Sequence, residues 1–160
     1  MTDSDLTAQN FLPEQYKSDS AASINHNYLR EQFADCDDIL AKIREVVVRG
    51  DFTLGCEVDE LEREYADLCG ARHAVAVGSG TDALLLSLKA VGVTEGDEVI
   101  TTPFTFYATV GAIVTAGGIP VFVDVGDDYN IDAAQIASKI SKNTKAIMPV
   151  HWSGRPCEMD

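Results

Sequence analysis

The chain has 160 residues, 46% of them hydrophobic, and 26 acidic against 12 basic side chains give it a formal net charge of −14. That length supports one ordinary globular core, and that charge argues against binding to nucleic acid or an acidic membrane, because phosphate surfaces reward clustered Lys and Arg. No apolar run approaches the ~18 residues of a membrane span, the start "MTDSDLTAQN" is acidic where a secretory leader is basic, and Cys36, Cys56, Cys69 and Cys157 lack metal-ligand spacing, so a cytoplasmic protein with reduced thiols is expected.

Residues 1–27 mix Ser, Asp, Asn and Gln with few periodic apolar positions and read as an irregular arm before a domain over 28–160. "DDILAKIREVVVRG" puts Ile39, Ile43, Val46 and Val47 on one face, opens with Asp37 and Asp38 and ends at Gly50, which predicts a helix. "EVDELEREYADLCG" repeats the arrangement with Leu61, Tyr65 and Leu68 and a stop at Gly70, and the loop "GDFTLGC" joins the two. From His73 onward short apolar strands, "HAVAV", "EVITT", "PVFVDV" and "KAIMPV", alternate with helices predicted over about 82–91, 107–116 and 132–140. Strands without a polar face imply burial on both sides, and their alternation with helices implies parallel pairing. The predicted fold is an α/β open sheet, mainly parallel, with helices on both faces.

Within "HAVAVGSGTDALLLSLKAVG" the first strand breaks through Gly78 and Gly80 straight into a helix. Amides at such a helix start lack internal partners and the helix dipole favours an anion there. Thr81 adds a hydroxyl, and Asp82 can cap the helix; the same residues also suit a capped turn that holds nothing. A nucleoside-triphosphate loop is excluded, because no Lys followed by Ser or Thr ends the turn. Gly78, Gly80 and Ala83 satisfy the letter of a dinucleotide fingerprint, but its acids, Asp97 and Glu98, precede the second strand instead of following it. Beyond that strand, "TTPFTFYAT" offers Phe104, Phe106 and Tyr107 to stack on a flat heterocycle, although each ring equally suits packing. His151 and Trp152 follow the fourth strand, where His151 either polarises a substrate or caps the strand end.

Four segments, "GDFTLGCEVDELEREYADLCGARHAVAVGSGTDALLLSL", "GDEVITTPFTFYAT", "GGIPVFVDVGDDYNID" and "TKAIMPVHWSG", together resemble the DegT-type sugar aminotransferases, pyridoxal-phosphate enzymes of fold type I. The resemblance runs from about residue 24 to residue 160. It implies that Gly80, Thr81 and Asp82 hold the phosphate of pyridoxal 5′-phosphate, that Phe106 stacks on its ring, and that Asp51, Phe52 and Thr53 lie near a sugar substrate. It also implies transfer of an amino group, from glutamate, to a nucleotide-linked keto-deoxysugar by a homodimer. A pyridoxamine-phosphate dehydratase of the same family, and a nicotinamide-binding or non-catalytic ligand-binding domain, stand as alternatives. Transamination also needs a Schiff-base lysine and an acid at the pyridine nitrogen. The resemblance places both downstream of Asp160, so neither Asp124 nor any of Lys17, Lys42, Lys89, Lys139, Lys142 and Lys145 is assigned, and "SKISKNTK" reads as a solvated turn. The chain is accordingly expected to be the front part of a longer enzyme, inactive by itself.

Overall fold

The computed structural model describes residues 29–159, so the expected arm over 1–27 lies outside the described residues. By its contacts the chain divides into two compact units, Met1–Gly55 and Cys56–Asp160. The first contains helices α1 (Leu29–Gln32) and α2 (Asp37–Arg49). Helix α2 ends as its sequence predicts: Gly50 takes the left-handed conformation and its amide donates to the carbonyls of Val46 and Val47. None of the α2 side chains is buried; Ile39, Ile43 and Val47 all remain exposed.

The second unit begins with α3 (Cys56–Cys69) and α4 (Gly80–Ala90), followed by β1 (Glu98–Thr101), α5 (Tyr107–Ala116), β2 (Ile119–Phe122), the short α6 (Ala133–Ile136) and β3 (Thr144–Ile147). The three strands form a parallel sheet in the order β2-β1-β3. Successive residues of β1 point to opposite faces, so Val99 and Ile100, both fully buried, seed separate cores. On the Val99 face, Leu88, Val93, Ala112, Ile113 and Ala116 bring in α4 and α5. On the Ile100 face, Val123, Ile131 and Cys157 are joined by Ile136 of α6. Helices therefore cover both faces of a parallel sheet, as expected. The turn from α5 into β2 requires glycine at 117, where φ is +96° and an added Cβ would sit 3.2 Å from the amide of Glu95.

Three local expectations differ. Segment 73–77 pairs with no strand among the described residues; the Ala76 amide instead donates to Glu62 Oε1 of α3 at 2.7 Å, and Val75 stays 78% exposed. Strand-like alternation does not make a strand without a neighbour to bond, and here a carboxylate takes the amide. Burial on both sides holds only for the central strand, because Ile119, Phe122 and Ile147 on the outer strands remain half-exposed. The helix expected over 132–140 is a single turn, α6, capped by Asp132 and tightened into a 3-10 turn over Ala137–Lys139.

Candidate functional site

From β1 the chain passes through α5 on one face to β2; from β2 it returns through α6 on the other face to β3, on the far side of β1. β1 and β3 thus flank a topological switch point, and a crevice opens outside the carboxyl ends of such a pair, where open α/β sheets bind ligands. The pairing reaches slightly past the strands: the Met148 amide donates to the Ile100 carbonyl at 2.7 Å, and the buried Thr101 hydroxyl donates to the Met148 carbonyl at 2.9 Å. Segments 102–106 and 148–152 then rise on either side.

The helix start at Gly80 belongs to the same edge. Gly92, just past the end of α4, lies against the Lys145 side chain at the amino end of β3, and α4 is about 16 Å long. Its first turn therefore lies toward the carboxyl ends. Ser79, in extended conformation, caps α4 by accepting the Asp82 amide on its hydroxyl oxygen at 3.1 Å. The expected cap at Asp82 is thus corrected: a residue inside the helix cannot fold back on its own first turn as the residue before it can. The Asp82 carboxylate rests instead over Gly78, where an added Cβ would be 2.9 Å from Oδ2. The Ala83 amide bonds to the Ser79 carbonyl. The Gly80 and Thr81 amides, both on exposed residues, meet no acceptor among the described residues. These are the orphan donors that a helix start offers to an anion.

The aromatic candidates separate by contact. Phe104 packs on Trp152 with ring centroids 4.3 Å apart and on Tyr129 at 5.7 Å, bridging the switch point as a packing residue. Phe106 precedes α5, is 63% exposed, and touches Tyr107 at 4.4 Å. Its ring keeps an open face at the carboxyl edge. His151 is exposed on the segment after β3, and its Nδ1 accepts the Cys157 amide at 3.0 Å. The structure thus brings Gly80, Thr81, Asp82, Phe106 and His151 to one edge of the second unit. Asp51, Phe52 and Thr53 lie in the first unit, all exposed, with the Asp51 carboxylate close over Gly55.

In the second unit, all described lysines are at the opposite edge. Lys139, Lys142 and Lys145 precede or open β3, and Lys89 in the last turn of α4 donates to the Ala116 carbonyl at 2.7 Å. The four cysteines form no disulfide, and no cluster of metal-ligating side chains occurs among the described residues. None of the described helices is long and apolar enough to cross a membrane. Sequence reasoning passed over Asn130, which is buried, accepts from or donates to three groups of segment 151–157, and donates to Asp128 as well. Its only sequence signal was an asparagine after the turn-forming pair Asp127-Asp128.

The chain is 43% identical over 122 residues to the spore coat polysaccharide biosynthesis protein SpsC of Bacillus subtilis, covering 76% of this chain and 31% of that protein. It is 46% identical over 133 residues to the UDP-N-acetyl-3-dehydro-alpha-D-glucosamine 3-aminotransferase of Acidithiobacillus ferrooxidans, covering 82% and 36%. Among solved structures, NtdA from Bacillus subtilis with bound cofactor PMP superimposes with a TM-score of 0.78 at 32% identity, over 87% of this chain and 33% of that one. The chain therefore spans about a third of the length of the proteins it matches. Residues 34–160 match the model of one family, and the chain belongs to it: the DegT/DnrJ/EryC1/StrS aminotransferase family.

Proposed function

We propose that this chain supplies the phosphate cradle and ring-stacking face of a pyridoxal-phosphate aminotransferase that acts on a nucleotide-linked keto-deoxysugar, with glutamate as amino donor. The observation that carries this reading is the pair of amides at Gly80 and Thr81 that meet no acceptor among the described residues, set at the switch-point edge that also bears Phe106. A phosphate dianion suits that turn: the amides donate to it, the Thr81 hydroxyl adds a third donor, and Asp82 leaves them clear by resting over Gly78. The exposed ring of Phe106 suits the flat heterocycle beside it. Bound there, pyridoxal phosphate supplies an aldehyde that carries the amino group and a ring that accepts electron density. The chain's own residues bind and orient. His151 and the loop bearing Asp51, Phe52 and Thr53 are assigned to the sugar. The Schiff-base lysine is assigned to none of Lys89, Lys139, Lys142 and Lys145, which sit at the wrong edge. The whole enzyme is read as a cytoplasmic homodimer.

Titration of the purified chain with pyridoxal 5′-phosphate, followed by absorbance, tests the reading. Saturable binding that inorganic phosphate displaces, with NADH leaving the signal unchanged, is the expected result. Binding indifferent to phosphate, or displaced by NADH, rejects it.

A further inference from the structure

Segment 151–157, which crosses the carboxyl edge after β3, has a 3-10 turn as its one regular element, with Ser153 in the left-handed region at φ +50°. Trp152 packs on Phe104 and Arg155 pairs with Asp128 at 3.6 Å, but one side chain ties the segment at both ends. Asn130, 2% exposed, accepts the Trp152 amide on Oδ1 at 3.0 Å. Its Nδ2 donates to the Pro156 carbonyl at 3.1 Å, to the Arg155 carbonyl at 3.4 Å and to Asp128 Oδ2 at 3.1 Å. Both ends of the segment are thus tied to the same amide group. The far end is held again where the buried Cys157 thiol donates to the Val150 carbonyl at 3.1 Å. Closing the loop in this way delivers the Cys157 amide to His151 Nδ1. A backbone N–H can only donate, so the nitrogen facing it carries the lone pair, and the proton of the neutral ring is placed on Nε2.

We infer that Asn130 is a positioning residue that locks His151 as a neutral Nε2–H tautomer, making the ring a hydrogen-bond donor, not a proton acceptor, toward an oxygen of the ligand bound at this edge. The ligand is the one assigned above, and to that extent the inference rests on the proposed function. The lock itself needs no ligand. In the neutral state Nε2 has no lone pair to take a proton, so His151 orients a carbonyl, hydroxyl or phosphate oxygen while proton removal falls to another group.

Nitrogen-15 NMR of the histidine-labelled chain, at alkaline pH where the ring is neutral, reads the tautomer directly, with the His151 signals identified by their loss in His151→Gln. The expected spectrum shows a pyridine-type Nδ1, scalar-coupled to the Cys157 amide, and a pyrrole-type Nε2. In Asn130→Ala the coupling disappears and the two nitrogens average toward each other. In Cys157→Ser, which keeps the amide, the wild-type pattern stays. A wild-type spectrum with averaged nitrogens or a pyrrole-type Nδ1 overturns the inference whether or not any variant folds, as does an Asn130→Ala spectrum unchanged from wild type. Because no cofactor is present, failure of pyridoxal phosphate to bind leaves this readout intact, and the two ideas fall separately.

Discussion

Proline in place of Gly80 isolates one donor of the phosphate cradle without disturbing the helix that presents it. Gly80 is the first residue of α4 after the cap at Ser79, the position at which proline is tolerated because its missing N–H has no helical partner. Ser79 at φ −165° and ψ 166° already has the extended backbone that a residue before proline requires. A Cβ at position 80 meets nothing within 4 Å. The substitution should therefore leave stability unchanged or raise it by up to about 1 kcal/mol, since proline restricts the unfolded chain. What it removes is one hydrogen bond to a charged group, about 1.5–3 kcal/mol, which weakens pyridoxal-phosphate binding by about 10- to 150-fold. Gly80→Ala is the control: it keeps the amide and has the same free space, so affinity holds. The assay is the absorbance titration with inorganic phosphate as competitor, alongside a urea melt. Equal affinity in Gly80→Pro and Gly80→Ala, with both folded, refutes the claim that the Gly80 amide holds the phosphate.

Phe106→Ala should leave the urea midpoint nearly unchanged, within about 0.5 kcal/mol for so exposed a side chain, while lowering pyridoxal-phosphate affinity about two- to twelvefold, the equivalent of about 0.5–1.5 kcal/mol of ring stacking. Ile113→Ala should do the reverse: this fully buried residue of the Val99-face core costs about 2–5 kcal/mol when truncated, read as a fall in the urea midpoint. At Asp97 the test is pH. Its carboxylate accepts the Thr94 amide at 2.9 Å and the Thr94 hydroxyl at 3.0 Å, which hold its pKa below the ordinary 3.8, with Lys145 contributing less. A depressed native pKa stabilises above the unfolded value and is lost as pH falls through the native one. The urea midpoint of the wild type should therefore drop more than that of Asp97→Asn below about pH 4, and parallel curves for the two proteins would show that the turn contributes nothing.

The parts of the fold legible in the sequence are those whose signal is local. Helix α5 falls where the sequence expects it, at about 107–116, bounded by the extended Phe106 on one side and the left-handed Gly117 on the other. The end of α2 at Gly50 was legible for the same reason. The strand expected over 73–77 shows where such reading stops. Alternation reports which side chains want burial, but a strand exists only when a second one bonds to it, and in this unit the Ala76 amide bonds to Glu62 of α3. The ties made by Asn130 and Cys157 are not legible in the sequence, because Asn130 meets groups 22 to 26 residues away and Cys157 meets its partners across a turn, separations over which no spacing rule operates. Ser79 and Asp82 both carry an oxygen that suits a cap, and only the extended backbone of Ser79 decides between them.

The location of the proposed site, by contrast, follows from a property of β1 that is visible in four letters, Glu98-Val99-Ile100-Thr101. Because adjacent side chains of a strand face opposite ways, two consecutive buried aliphatics demand cover on both faces, and no single helix can supply it. Helices α4 and α5 meet Val99, while α6 and the segment ending at Cys157 meet Ile100. A chain that visits one face on its way to β2 and the other on its way to β3 has to place those strands on opposite sides of β1 if both crossovers keep the usual hand. The switch point is then a consequence of packing. The proposed site then draws on what the chain presents on leaving β1 and β3: Phe106 from one, His151 from the other, and at the same edge the amides of Gly80 and Thr81, which meet no acceptor among the described residues.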